Sequence, residues 1–228
     1  MSRWSFIALA CTILVGFASG SIAPETEPQS GISFPGEIAG ETSALRLAGT
    51  AVRVKKIAFI SIQIYAVGLY VEPAAAATAK VDSGNAQSAA LFETLLSDKA
   101  DIPMAVRLVM VRSVTADQMA DALRDAVAPR LAHGTDVTGV MAQFRALFDD
   151  ALPAGTELVF SKLKGGKLLA EIAGKMKGEI DNRSLSTALF SAYLDANHVV
   201  DRALLVANLP AVVTAGVAAA EIPATPEN

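Results

Sequence analysis

At 228 residues the chain is long enough for one domain with a sizeable core. Its 52% hydrophobic and 18% charged residues exclude a disordered chain, and a net charge of −4 gives no global electrostatic case for nucleic acid. Aromatics make up only 6%, so any aromatic inside an apolar run is informative.

Residues 1–20 read as an export signal. Arg3 supplies a short positive region, "FIALACTILVGF" (6–17) is apolar, and "ASG" (18–20) offers small residues for cleavage ahead of Ser21. Twelve apolar residues are too short to span a bilayer, so no stable membrane span is expected after cleavage. Cys11 is the chain's one cysteine and lies in this segment, so the mature chain lacks thiol chemistry and disulfides. An exported, acidic, cysteine-free protein points to a bacterial periplasm. Residues 21–38 are rich in Pro, Gly, Ser and Glu and read as a flexible mature N-terminus. A domain over 39–220 and a frayed tail over 221–228 complete the division.

Strand pattern runs from about Ser43 to Val71 and ends at Pro73, which can open a short helix. A helix is expected over 89–97 and a strand over 105–111. Thr115, with Gln118 three residues later, caps a helix whose Met119, Ala122, Leu123, Ala126 and Val127 share one face. A second helix is expected over 140–150, with Phe144, Leu147 and Phe148 inward. Three short antiparallel strands follow at 157–163, 167–173 and 174–180, the first two joined by the "KGGK" turn. A helix over 184–194, capped from Asp181 or Ser184, and another near 201–213 close the chain. Strands in blocks followed by helices define an α+β fold rather than alternating βαβ units.

The usual machinery of catalysis is missing. His133 and His198 lack metal-spaced partners, and no nucleophile elbow, P-loop or dinucleotide fingerprint occurs, so neither a metal nor a cofactor is expected. Asp149 and Asp150 are expected to be exposed at a helix end. A site must therefore be built from Arg, Tyr and a cavity.

The segment "LAGTAVRVKKIAFISIQIYAVGLYVEP" (47–73) resembles the chalcone isomerase superfamily, in particular its bacterial and fatty-acid-binding-like members. "VRSVTADQMADAL" (111–123), "FRALF" (144–148) and "LPAGTELVFSKLKGGKLLAEIAGKMKGEI" (152–180) carry the likeness further, over residues 40–205. The resemblance implies an open-faced β-sandwich: a large antiparallel sheet packed against a helical layer, with a ligand cleft between them. It makes Arg53 the polar anchor of that cleft, catalytic if the chain is an isomerase. Where isomerases carry Thr this chain has Tyr65, as the fatty-acid-binding members do. The isomerase Lys, Tyr and Asn fall on Met110, Met119 and Ala126, and the substrate-contacting Thr falls on Ser191. These replacements tilt the expectation from catalysis to non-catalytic binding of an apolar carboxylate such as a fatty acid, with an intramolecular lyase or an inactive scaffold of the same fold as the alternatives. The expected ligand-binding residues are Arg53, Tyr65, Met110, Met119 and Ser191. Arg112 is expected in an outer salt bridge.

One condition follows from strand geometry. Twelve residues of straight strand would hold Arg53 and Tyr65 roughly 40 Å apart. To share one carboxylate they must come within about 10 Å, which requires a hairpin or strong bulge around Lys55–Ile60.

Overall fold

The computed structural model describes residues 23–80, 88–148 and 151–220. The expected signal segment, Asp149–Asp150 and the tail from 221 onward lie outside the described residues. Seven strands form one antiparallel sheet in the spatial order β11-β10-β9-β6-β5-β4-β3. They are β3 (Glu37–Ile38), β4 (Leu45–Ile57), β5 (Ile60–Val71), β6 (Met104–Met110), β9 (Glu157–Lys162), β10 (Leu168–Ile172) and β11 (Lys175–Ile180). Two small ribbons accompany it, β1 (Glu25–Thr26) with β2 (Ser33–Phe34), and β7 (Val114–Thr115) with β8 (Ala151–Leu152).

A helical layer covers one face: α1 (Pro73–Thr78), α2 (Ala89–Leu96), α3 (Ala116–Val127), α4 (Val137–Arg145), α5 (Arg183–Leu194), α6 (Arg202–Leu205) and α7 (Leu209–Ala220). Within the layer α3 packs on α4 and α5, α5 on α2, and α7 on α1. The architecture is the α+β, large-sheet-on-helices arrangement expected from the sequence.

The pleat of β5 shows how the sequence divides its two faces. Tyr65, Val67, Leu69 and Val71 point into the main core beneath the helices, while Ala66 and Tyr70 join a smaller cluster on the opposite face. Phe34, fully buried, is the centre of that second cluster. It sits so close to the sheet that a Cβ on Gly68 would lie 2.7 Å from its Cδ1, which explains a glycine between two large residues of the strand. Tyr70 donates its hydroxyl to Pro35 O at 3.0 Å.

The described part of the segment expected as a flexible mature N-terminus is therefore structured from Glu25 on. It contributes β1, β2, β3 and Phe34, and Glu25 accepts from Thr50 Oγ1 and Asn208 Nδ2, both at 2.6 Å. Its composition looks like a tail because its anchors, the buried Phe34 and the half-buried Glu25 among them, are isolated residues whose partners lie far away in the chain.

The helix ends follow local chemistry. Thr115 and Gln118 form a reciprocal capping box at the start of α3 (3.1 and 3.0 Å). Asn182, rather than Asp181 or Ser184, caps α5 by accepting from Leu185 N at 2.9 Å. Asp136 caps α4, which starts three residues before the expected Val140, and Leu147 and Phe148 fall in tight turns beyond its end. The expected final helix is two, α6 and α7, because Pro210 cannot donate an intrahelical bond and Asn208 N is spent on Ala48 O at 2.7 Å. The run Arg202–Ala219 is long and apolar enough to cross a membrane, yet here Leu205, Leu209 and Val212 are fully buried in the core. Gly216 abuts Pro73 O so tightly that an added Cβ would lie 2.0 Å from it.

Between β4 and β5 the chain reverses at Ala58–Phe59, with Ala58 at φ 52°. A left-handed alanine costs about 1 kcal/mol relative to glycine, and this one is exposed, so Ala58→Gly loses no packing. Ala58→Gly is expected to raise the melting temperature by roughly 2–4 °C in a calorimetric scan. An unchanged or lower value would show that the turn is not strained.

Candidate functional site

The β4–β5 hairpin sets Arg53 directly opposite Tyr65. The twelve residues between them thus close to a cross-strand pair, with Cβ atoms about 5 Å apart. The register then slips: Val54 pairs with Gln63, leaving Ile64 as the extra residue of a bulge. A bulge turns consecutive side chains toward one face, and both Ile64 and Tyr65 line the same cavity.

That cavity has a volume of about 700 Å³, within the ~300–1,000 Å³ range of small-molecule sites. The hairpin forms one wall, α3 the second, and the end of α5 with Val199 the third. Arg53, Tyr65 and Met119 all line it. Met110 does not: it is the register partner of Tyr65 on β6 and is 1% exposed in the main core. Ser191 does not either, its hydroxyl donating to Thr187 O at 2.8 Å within α5. The two residues after it, Ala192 and Tyr193, reach the cavity instead.

Tyr193 is the site residue that the sequence reading missed. A signal was present. It is one of only three tyrosines, and it shares an inward helical face with Leu185 and Leu189, where a buried phenol needs a hydroxyl partner. That partner is Tyr65, with the two oxygens 3.2 Å apart. One hydroxyl donates to the other, so the acceptor's own hydrogen remains free for a third group. Burial raises the pKa of both phenols above the ordinary value, outweighing the opposing pull of Arg53 on each. Both are neutral O–H donors at physiological pH.

Arg53 is half-buried and tethered by Nη1 to Val199 O at 2.5 Å. The rest of its fork remains available, and among the described residues it makes no salt bridge. Lys55 and Arg112 stand exposed at the rim. Arg112, expected in an outer salt bridge, makes none among the described residues. Asp121 and Asp125 also reach the rim, but Arg124 pairs with both, at 2.8 and 3.4 Å. The uncompensated charge at the cavity is therefore positive.

The walls are fastened to one another. Arg130, just past α3, makes a two-pronged bond to Asp195 at the end of α5 (2.7 and 3.0 Å) and donates to Asn197 O at 2.7 Å. Arg202 donates to Leu194 O and Asp195 O and lies 3.9 Å over the Phe92 ring. Among the described residues no group of three His, Cys, Asp or Glu converges as a metal site.

A large antiparallel sheet under a helical layer, with the cavity between them, is the fold to set beside known proteins. Residues 43–204 match the chalcone isomerase-like family, and the chain belongs to it. Fatty-acid-binding protein 2 of Arabidopsis thaliana is 30% identical over 188 residues, covering 74% of this chain and 46% of that protein. The chain thus spans about half the length of this curated relative. The crystal structure of another Arabidopsis thaliana fatty-acid-binding protein superposes with a TM-score of 0.72 at 23% identity, covering 84% of this chain and 99% of that one. At that identity the likeness is one of fold.

All three tyrosines are held with raised pKa values, Tyr70 also chiefly by burial. A raised folded pKa means that the contribution to stability is complete below the unfolded value of about 10 and lost as pH rises above it. Spectrophotometric titration is expected to show no phenolate absorbance near pH ~10 while the fold persists, then all three ionising together on alkaline unfolding. A tyrosine titrating near pH ~10 in the folded protein would contradict the burial argument.

Proposed function

We propose that the chain binds a fatty acid or similar apolar carboxylate without transforming it. The observation that carries this reading is the polar end of the cavity, where the open part of the Arg53 fork lies beside the neutral Tyr65–Tyr193 hydroxyl pair. A planar guanidinium suits a carboxylate in bidentate geometry, and the spare hydroxyl hydrogen supplies a further donor. Ile62, Ile64, Met119 and Leu123 line the remainder and suit an acyl tail, whose burial supplies most of the affinity. The fatty-acid-binding relatives support the same ligand class. Met119 and Ala126 occupy cavity positions where the isomerase resemblance called for polar groups. An intramolecular lyase is the alternative, favoured only by the retained Arg53. Racemic cyclisation of a chalcone at the uncatalysed rate would count against it.

Two experiments test the binding reading. Mass spectrometry of the purified protein is expected to find co-purifying fatty acid, with Arg53→Ala lowering affinity by about ten- to a hundredfold and Tyr193→Phe by about fivefold. Affinity across a series of saturated acids should rise about fourfold per added methylene until the cavity is full. Unchanged lipid retention in Arg53→Ala removes the anchor, and a flat chain-length series removes the tail pocket.

Export is part of this proposal. N-terminal sequencing of the mature protein from its host is expected to begin at Ser21, and an intact Met1 would refute it.

A further inference from the structure

Beyond the Arg53–Tyr65 pair the β4–β5 hairpin leaves the sheet. On β5, pairing with β6 runs only from Tyr65 to Val71, and on β4, pairing with β3 covers only Leu45 and Arg46. Four further residue pairs, Val54–Gln63 to Ile57–Ile60, therefore project as a two-stranded ribbon about 13 Å long. At its tip Phe59 is 104% and Ile60 65% exposed. They are the one adjacent pair among the large exposed hydrophobics of the described residues. Lys55 and Lys56 follow immediately behind, on opposite faces of the ribbon, exposed and without an ion-pair partner among the described residues. No acidic residue occurs from Arg53 to Tyr65, in a chain whose net charge is −4.

An unpacked phenyl and isoleucine at a tip, with cations behind them, fit a surface that is apolar inside and anionic outside. The cavity opens at the same end. Lys55 and its register partner Ile62 line it, as does Arg112, so the rim lies two residue pairs behind the tip. We propose that this ribbon is a membrane-docking element for an anionic bilayer. Phe59 and Ile60 enter the acyl boundary, and Lys55, Lys56 and Arg112 engage lipid headgroup phosphates. The cavity mouth then faces the layer from which an acyl ligand leaves or enters. The direction of ligand traffic rests on the proposed fatty-acid function; docking itself does not.

The test uses the full chain with phosphatidylcholine vesicles, with and without a quarter phosphatidylglycerol. Partition is expected to be strong with the anionic vesicles and weak with neutral ones, and to fall as salt is raised. Phe59→Ser with Ile60→Ser should weaken partition at least tenfold, and Lys56→Gln about fivefold. None of these residues lines the cavity, so fatty-acid affinity measured without vesicles should be unchanged. Because residues 6–17 are apolar as well, a second readout is confined to the tip. The indole introduced by Phe59→Trp should be quenched by brominated acyl chains beyond the background of Trp4, the natural tryptophan.

Equal partition of the parent and the Phe59→Ser, Ile60→Ser chain overturns the proposal, as does an indole at that position that brominated lipid leaves unquenched. Concentration-dependent self-association that those substitutions abolish, with no vesicle partition, would assign the tip to a second copy and overturn it too. Partition that persists in a parent chain unable to bind fatty acid would refute the proposed function and leave the docking element standing.

Discussion

The fold-back of β4 on β5 is the constraint on which the rest of the site depends. A single continuous strand would hold Arg53 and Tyr65 roughly 40 Å apart, and no cleft could use both. The reversal at Ala58–Phe59 makes them neighbours, and the bulge at Ile64 turns one more side chain toward the same space. The same hairpin supplies the two longest strands of the sheet, so the scaffold and the polar end of the cavity are one element. Its outer half, free of sheet neighbours, projects an apolar tip beyond the cavity mouth.

A hairpin alone would not make a cavity. The second and third walls are α3 and the end of α5, held to each other by the Arg130–Asp195 fork. Burial works to raise the Asp195 pKa, but the Arg130 bond, the Asn197 N–H and the charge of Arg130 together lower it, so the carboxylate stays ionised and the clamp charged. Arg53 joins the walls as well, through its bond to Val199 O beyond α5. One guanidinium thus closes the frame of the cavity while leaving donors free inside it. Tyr193 does the equivalent from the helix side, fixing the Tyr65 hydroxyl by a bond that leaves one phenolic hydrogen unspent.

The elements that were legible in the sequence are those set by local periodicity and capping. The β9–β10–β11 meander and the Thr115 capping box match the structure because each depends on residues within a turn or a pleat. The N-terminal segment did not read correctly. Phe34 and Glu25 are isolated among Pro, Gly and Ser, and their partners, Gly68, Thr50 and Asn208, are far away in the chain. For the site, Arg53, Tyr65 and Met119 could be named from the family resemblance together with the turn that strand length demanded. Met110 and Ser191 came from the same resemblance, but the sheet register and the pitch of α5 turn them elsewhere.

By itself the sequence determined the α+β order and the capped start of α3 and, once the family resemblance had paired Arg53 with Tyr65, the reversal near Phe59. These are consequences of period, reach and side-chain chemistry, which the chain carries locally. Only the tertiary structure decided that Tyr193 completes the pair, that Arg112 stands uncompensated at the rim, and that Phe59 and Ile60 project unpacked. Each of those facts depends on where residues over a hundred positions apart come to rest, or on which neighbours a side chain fails to meet. Spacing along the chain holds no record of either.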